Sequence, residues 1–227
     1  MELLRPRKIV NIANAIIASH NTEFEYTDPV FNVPMKKSIT TVTFGEMGFN
    51  QPNMNFGITS SKDERVILFG GMQGLIKSCV DNAEDIKDRI HSILINKSSP
   101  SNEQERLELM KMDFMKLKDW FMEDIRKSKI YKHFTVYNST AKLKPFSKAF
   151  NSFILDRNKY THGQLCFKSP NYEFVLDYLE TPSNVKVYAI IDTEIIKSYN
   201  QAYIEIKKVI HEYQVALQAK ILDNQTS

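Results

Sequence analysis

A mainly α fold, a helical bundle with a small β insertion near the N-terminus and a β-hairpin before the last helix, is predicted by three observations. Beyond residue 71, apolar residues recur at spacings of three and four over several long runs. Between Asn21 and Gly71 that rhythm gives way to β-branched runs such as Ser38 to Phe44, interrupted by Pro29, Pro34 and Pro52. Finally, the β-rich runs Tyr172 to Glu180 and Val185 to Ile191 flank Thr181-Pro182-Ser183-Asn184, the pattern of a hairpin.

Taken in order, residues 3–20 carry Ile9, Ile12, Ala13, Ile16 and Ile17 at helical spacing and are expected to form a first helix. Residues 21–71 are expected to be an irregular or β-containing insertion, closed by Gly70-Gly71-Met72-Gln73-Gly74. From there Leu75, Ile76, Cys79, Val80, Ala83, Ile86, Ile90, Ile93 and Leu94 trace one face of a long helix ending at Ser98-Ser99-Pro100. Ser101 with Gln104 has the form of a capping box for a second helix, whose seam is Leu107, Met110, Phe114, Leu117 and Phe121. A third is expected from Pro145 to Gly163, because proline is tolerated in a first turn. After the hairpin, Asp192 can cap a last helix whose apolar face runs from Ile195 to Tyr213, with Asp223 to Ser227 fraying. One domain over residues 1–227, with its core at about 74–222, accounts for the pattern.

Composition narrows the function classes. A chain of 227 residues buries a sufficient core without disulfides or a structural metal, and 42% hydrophobic with 25% charged residues excludes wholesale disorder. No run approaches the roughly 20 apolar residues of a membrane helix, so no membrane partner is expected. Cys79 and Cys166 form no spaced pattern, and with Met1 and no signal peptide they fit a reduced cytoplasm. A net charge of +3 allows a nucleic-acid partner without requiring one.

The chemistry concentrates at Arg157-Asn158-Lys159-Tyr160-Thr161-His162-Gly163. At about 100° per residue, Asn158 and His162 share a helix face with Ser147 and Asn151, whereas Arg157 falls among Phe146, Phe150, Phe153 and Tyr160. Histidine exchanges protons near neutral pH, and arginine presents a planar cationic fork to phosphate oxygens. Attack of a ribose 2′-hydroxyl on its own phosphate needs proton transfer and stabilisation of added negative charge. One histidine serves one transfer at a time, so a symmetric dimer would supply the second.

Arg157-Asn158-x-x-x-His162 on the penultimate long helix resembles the signature of the HEPN superfamily, helical domains of prokaryotic toxins and antiviral defence proteins. The resemblance, over residues 74 to 222, implies a metal-independent endoribonuclease without cofactor, acting on RNA as a homodimer with a composite site. It also implies Arg157 and His162 as the catalytic pair, Asn158 as the positioning residue, and an antitoxin or activating partner. The alternative class is a non-catalytic interaction or regulatory protein, such as an immunity factor, with the same helix as its interface. Then His162 would meet the helix dipole, Gly163 would form a left-handed cap, and Arg157 would pair with Glu84 or Asp85.

Other patterns carry less. Arg126 and His133 also satisfy the loose arginine-to-histidine spacing, but they flank a helix end and share no regular turn. The acidic stripe Asp81, Glu84, Asp85 and Asp88 reads as a solvated face before a cation site. Lys77 and Ser78 stand three residues late for a phosphate-binding loop after the glycines. Tyr199, Tyr203 and Tyr213 read as core before base-stacking platforms.

Overall fold

The computed structural model describes residues 3–9, 17–27, 34–44, 46–48, 51–53, 64–168, 173–180 and 185–225, which are mainly helical with a small antiparallel sheet. The elements run β1 (Arg7–Ile9), β2 (Ile17–Thr27), β3 (Pro34–Phe44), β4 (Glu46–Gly48), β5 (Gln51–Asn53), α1 (Glu64–Ser98), α2 (Glu103–Met110) and α3 (Phe114–Ser128). A 3-10 turn (Ile130–His133), α4 (Thr140–His162), β6 (Gln164–Lys168), β7 (Glu173–Glu180), β8 (Val185–Ile190) and α5 (Thr193–Gln225) follow. Two compact units result: Met1–Arg5, Ser78–Asn158 and Glu194–Ser227 form one, Pro6–Lys77 and Lys159–Thr193 the other.

The first unit is a helical bundle. Cys79, Ala83, Ile86, Ile90 and Ile93 of α1 are buried at alternating intervals of four and three, as an amphipathic helix requires. Phe114, Leu117, Phe121 and Ile125 are buried on α3 at intervals of three, four and four. Aromatic rings tie the helices together: Phe153 of α4 stacks on Tyr199 of α5 at 4.3 Å, and Phe121 of α3 meets Tyr213 of α5 edge-on at 5.1 Å. Each such pair adds about 0.5–1.5 kcal/mol beyond the burial of its rings.

Three devices end or start these helices against the sequence expectation. Leu107 and Met110 are about half exposed and do not continue the seam of Phe114 and Leu117. Asp113 caps a new helix by accepting from the Lys116 N–H at 2.9 Å, so α2 and α3 are separate although the spacing runs on. The cap of α2 is Asn102, not Ser101: its Oδ1 accepts from the Glu105 N–H at 2.9 Å, while Glu105 accepts from the Ser101 N–H at 2.9 Å. The box is therefore shifted by one residue. Likewise α4 starts at Thr140 and holds Pro145 inside it, because Ser139 accepts from the Lys142 N–H at 3.3 Å and sets the start earlier.

The second unit holds the sheet, ordered β1-β8-β7-β6 and antiparallel throughout. The expected hairpin is present as β7 and β8, from Val175 opposite Ile190 to Glu180 opposite Val185; its turn, Thr181 to Asn184, lies outside the described residues. A further strand, β6, pairs with β7 from Gln164 opposite Asp177 to Lys168 opposite Glu173 and extends the expected hairpin. β2 and β3 pair from Ile17 opposite Phe44 to Thr27 opposite Pro34, in keeping with the β character expected between 21 and 71. The helix expected over 3–20 is overturned wherever it is described, since Arg7–Ile9 and Ile17–His20 are strands; residues 10–16 lie outside the described ones. Isoleucine is β-branched and fits a ladder at least as well as a helix, so five apolar positions in a short run could not arbitrate.

The glycines 70, 71 and 74 do not punctuate the chain but lie inside α1, whose buried seam reaches back through Ile76 and Met72 to Phe69. At the far end of the chain α5 runs on to Gln225, past the expected fraying point at Asp223; residues 226–227 lie outside the described ones.

Candidate functional site

The motif sits at the end of α4, which closes at His162 as the sequence predicts. In the first unit, Phe146, Phe150 and Phe153 are buried and Arg157 emerges from the same face with its side chain 21% exposed. Its Nη2 forms an ion pair with Glu84 of α1, and its Nη1 donates to the Asn158 Oδ1 at 3.0 Å. The guanidinium is thus held from two sides. Glu84 also has Lys87 at 3.8 Å, so the carboxylate is shared between two cations.

Asn158 is exposed on the helix surface. His162, the last helical residue and part of the second unit, is exposed as well, and no described residue bonds its imidazole. Structure therefore joins Arg157 to Asn158 directly, and His162 only through the helix that carries all three. The stripe named from sequence is mixed: Asn151 accepts from Lys118, a lysine only 3% exposed that also pairs with Asp119.

Gly163 follows the motif for a reason other than the expected left-handed cap, since no glycine described has a positive φ. Its N–H donates to the Lys159 carbonyl at 2.7 Å. A Cβ there would stand 2.5 Å from that same carbonyl oxygen and 2.9 Å from the Leu176 Cγ on β7. Close approach of helix end and strand, within the second unit, demands the glycine.

Neighbouring polar groups are committed. Burial pushes the Asp85 carboxyl up, but hydrogen bonds from Arg89 at 2.9 Å and Tyr203 at 2.9 Å, with the Arg89 and Lys207 charges, outweigh it and hold the group below its ordinary value. Fully buried Asp156, one residue before Arg157, accepts from Arg5 Nη2 at 3.0 Å. This pair was not legible in the sequence, because 151 positions separate its members and nothing local marks it. Burial raises the Cys79 thiol to about 12, which keeps it protonated near neutral pH. Among the described residues, no group of three histidines, cysteines or carboxylates could hold a metal ion, and no helix is long and apolar enough to cross a membrane.

Comparison with protein-family models, with curated proteins and with solved structures finds no match to this chain.

Proposed function

We propose that the chain is an endoribonuclease of the toxin or defence type, acting without metal as a homodimer whose two α4 motifs share one RNA. His162 takes the 2′-hydroxyl proton or returns one to the leaving 5′-oxygen, with the partner copy supplying the complementary transfer. Arg157 stabilises the phosphorane charge, and Asn158 orients its guanidinium. The 2′-oxygen bonds to phosphorus as the bond to the 5′-oxygen breaks, which leaves a 2′,3′-cyclic phosphate and a 5′-hydroxyl.

The observation that supports this reading most is the fixed guanidinium. Arg157 is clamped by Glu84 and Asn158, while the imidazole of His162 is open to an incoming ligand. General acid–base groups contribute about 10²–10⁴-fold. Incubating total RNA with the purified protein in EDTA tests it: wild type cuts, and His162→Ala and Arg157→Ala cut at least 100-fold more slowly. Equal rates for all three proteins sink the assignment.

One observation favours a second reading, a non-catalytic interaction or immunity factor. The Glu84 carboxylate already compensates the Arg157 charge, as in a structural ion pair between helices. Growth on expression separates the two readings: arrest relieved by His162→Ala marks a nuclease, and equal tolerance of both marks a binding module.

A further inference from the structure

The segment that closes α3 is the most cationic stretch of the first unit: Arg126, Lys127, Lys129, Lys132 and His133 fall within eight residues. Lys129 adopts a left-handed conformation at φ 57°, which ends α3 and turns the chain into the 3-10 helix of Ile130–His133. That turn forms one wall of a groove of about 610 Å³, of which the other wall is α5 from His211 to Ala219. Lys129, Lys132, His133 and His211 line it together with Ile130 and Val215.

Its charge is unbalanced. Neither Lys129 nor Lys132 has a carboxylate partner among the described residues, whereas Lys127 outside the groove is paired with Glu123. The one carboxylate in the lining, Glu212, is already occupied: it accepts from the Thr135 N–H at 3.0 Å and from the Thr135 hydroxyl. Two lysines against one carboxylate, itself turned onto Thr135, leave the lining with an excess of positive charge beside the half-exposed Val215. Point charges that match phosphates, next to apolar surface on which a base can lie, are the two components of single-strand recognition.

We propose that this groove binds a stretch of single-stranded RNA, with Lys129 and Lys132 on successive phosphates and the exposed Val215 against a base. The cationic run continues in sequence to the exposed Arg126, which suits a strand better than a lone nucleotide. The assignment deepens the proposed nuclease function and rests on it for the choice of RNA, but it needs no cleavage to be true.

The test is a titration in EDTA of the full-length chain against a fluorescently labelled 12-nucleotide 2′-O-methyl oligouridylate, which has no 2′-hydroxyl to attack. The variant pairs Lys129→Asn, compatible with a left-handed residue, with Lys132→Gln. Wild type is expected to bind, the double variant at least tenfold more weakly. The slope of log affinity against log salt should become shallower by about 1.4 for two lost phosphate contacts on a single strand. Single variants, each with half that change in slope, serve if the double variant fails to fold by circular dichroism. Equal binding by wild type and variants overturns the groove, as does absence of binding by wild type. Competition by uridine monophosphate as strong per molecule as by the oligomer overturns the strand reading. Failure to cut RNA while this binding persists would instead count against the motif.

Discussion

Two segments of this chain put an arginine a few residues before a histidine, and they have opposite local structures. Arg157 to His162 lies on one unbroken helix, and its arginine is fixed by Glu84 and Asn158. Arg126 to His133 is cut by the left-handed Lys129, so its arginine belongs to α3 and its histidine to a 3-10 turn. The first segment spends its cation inside the protein and leaves an imidazole exposed; the second leaves several cations exposed along a groove. Spacing alone treats the two as equals. Backbone continuity and charge compensation separate them.

The contrast can be broken at the continuous segment first. Gly163→Ala should lower stability by roughly 1–3 kcal/mol, the cost of overpacking a tight site, and the melting temperature by several degrees. A melt within a degree of wild type would mean that helix end and strand part easily. Next comes the clamp. Glu84→Gln, at a partly exposed ion pair, should cost only about 1 kcal/mol of stability. If the clamp positions Arg157 for chemistry, the same change should slow RNA cleavage about tenfold, the equivalent of about 1.4 kcal/mol; an undiminished rate would show that the pair only joins helices. The smallest effect belongs to the broken segment. Lys129→Gly relieves a left-handed lysine and should raise the melting temperature by a degree or two, about 0.5 kcal/mol. A loss of stability instead would show that the lysine side chain packs in the folded state.

These segments also show what a sequence can and cannot reveal. The seams of α1 and α5 are legible because many apolar residues repeat with one period, so that any one misplaced position matters little. Leu75, counted into the α1 seam, is in fact 39% exposed, yet the helix stands. The α2–α3 break is not legible by period, since Leu107 and Met110 keep the rhythm by coincidence, and only Asp113 as a side-chain cap marks the start. Short β-branched runs fail in the opposite direction: Ile9 and Ile17 satisfy both periods, and pairing with β8 and β3 decides. Arg157, Asn158 and His162 are visible as a motif because they are close in sequence. The groove is not, because it needs residues 128–133 to meet 211–219 across two helices. Even so, the density of cations in 126–133 and the cap-like break there were signals available for finding it.

Buried Tyr213 on α5 gives the helical unit an optical signature. Burial, then the hydrogen bond and charge of Asp124, raise its hydroxyl well above the ordinary tyrosine range. Its contribution to stability is whole below about pH 10, the unfolded value, and drains away as pH climbs toward the folded one. The anion absorbs in the near ultraviolet, and here it can form readily only once the bundle opens. An alkaline titration should therefore show a late tyrosinate step that coincides with loss of helical circular dichroism, and Tyr213→Phe should lower its amplitude by one phenol, the remainder coming from buried tyrosines such as Tyr137 and Tyr199 that the same opening exposes. The Tyr213 phenol then reports, without any label, whether α5 still packs against α3 and α1.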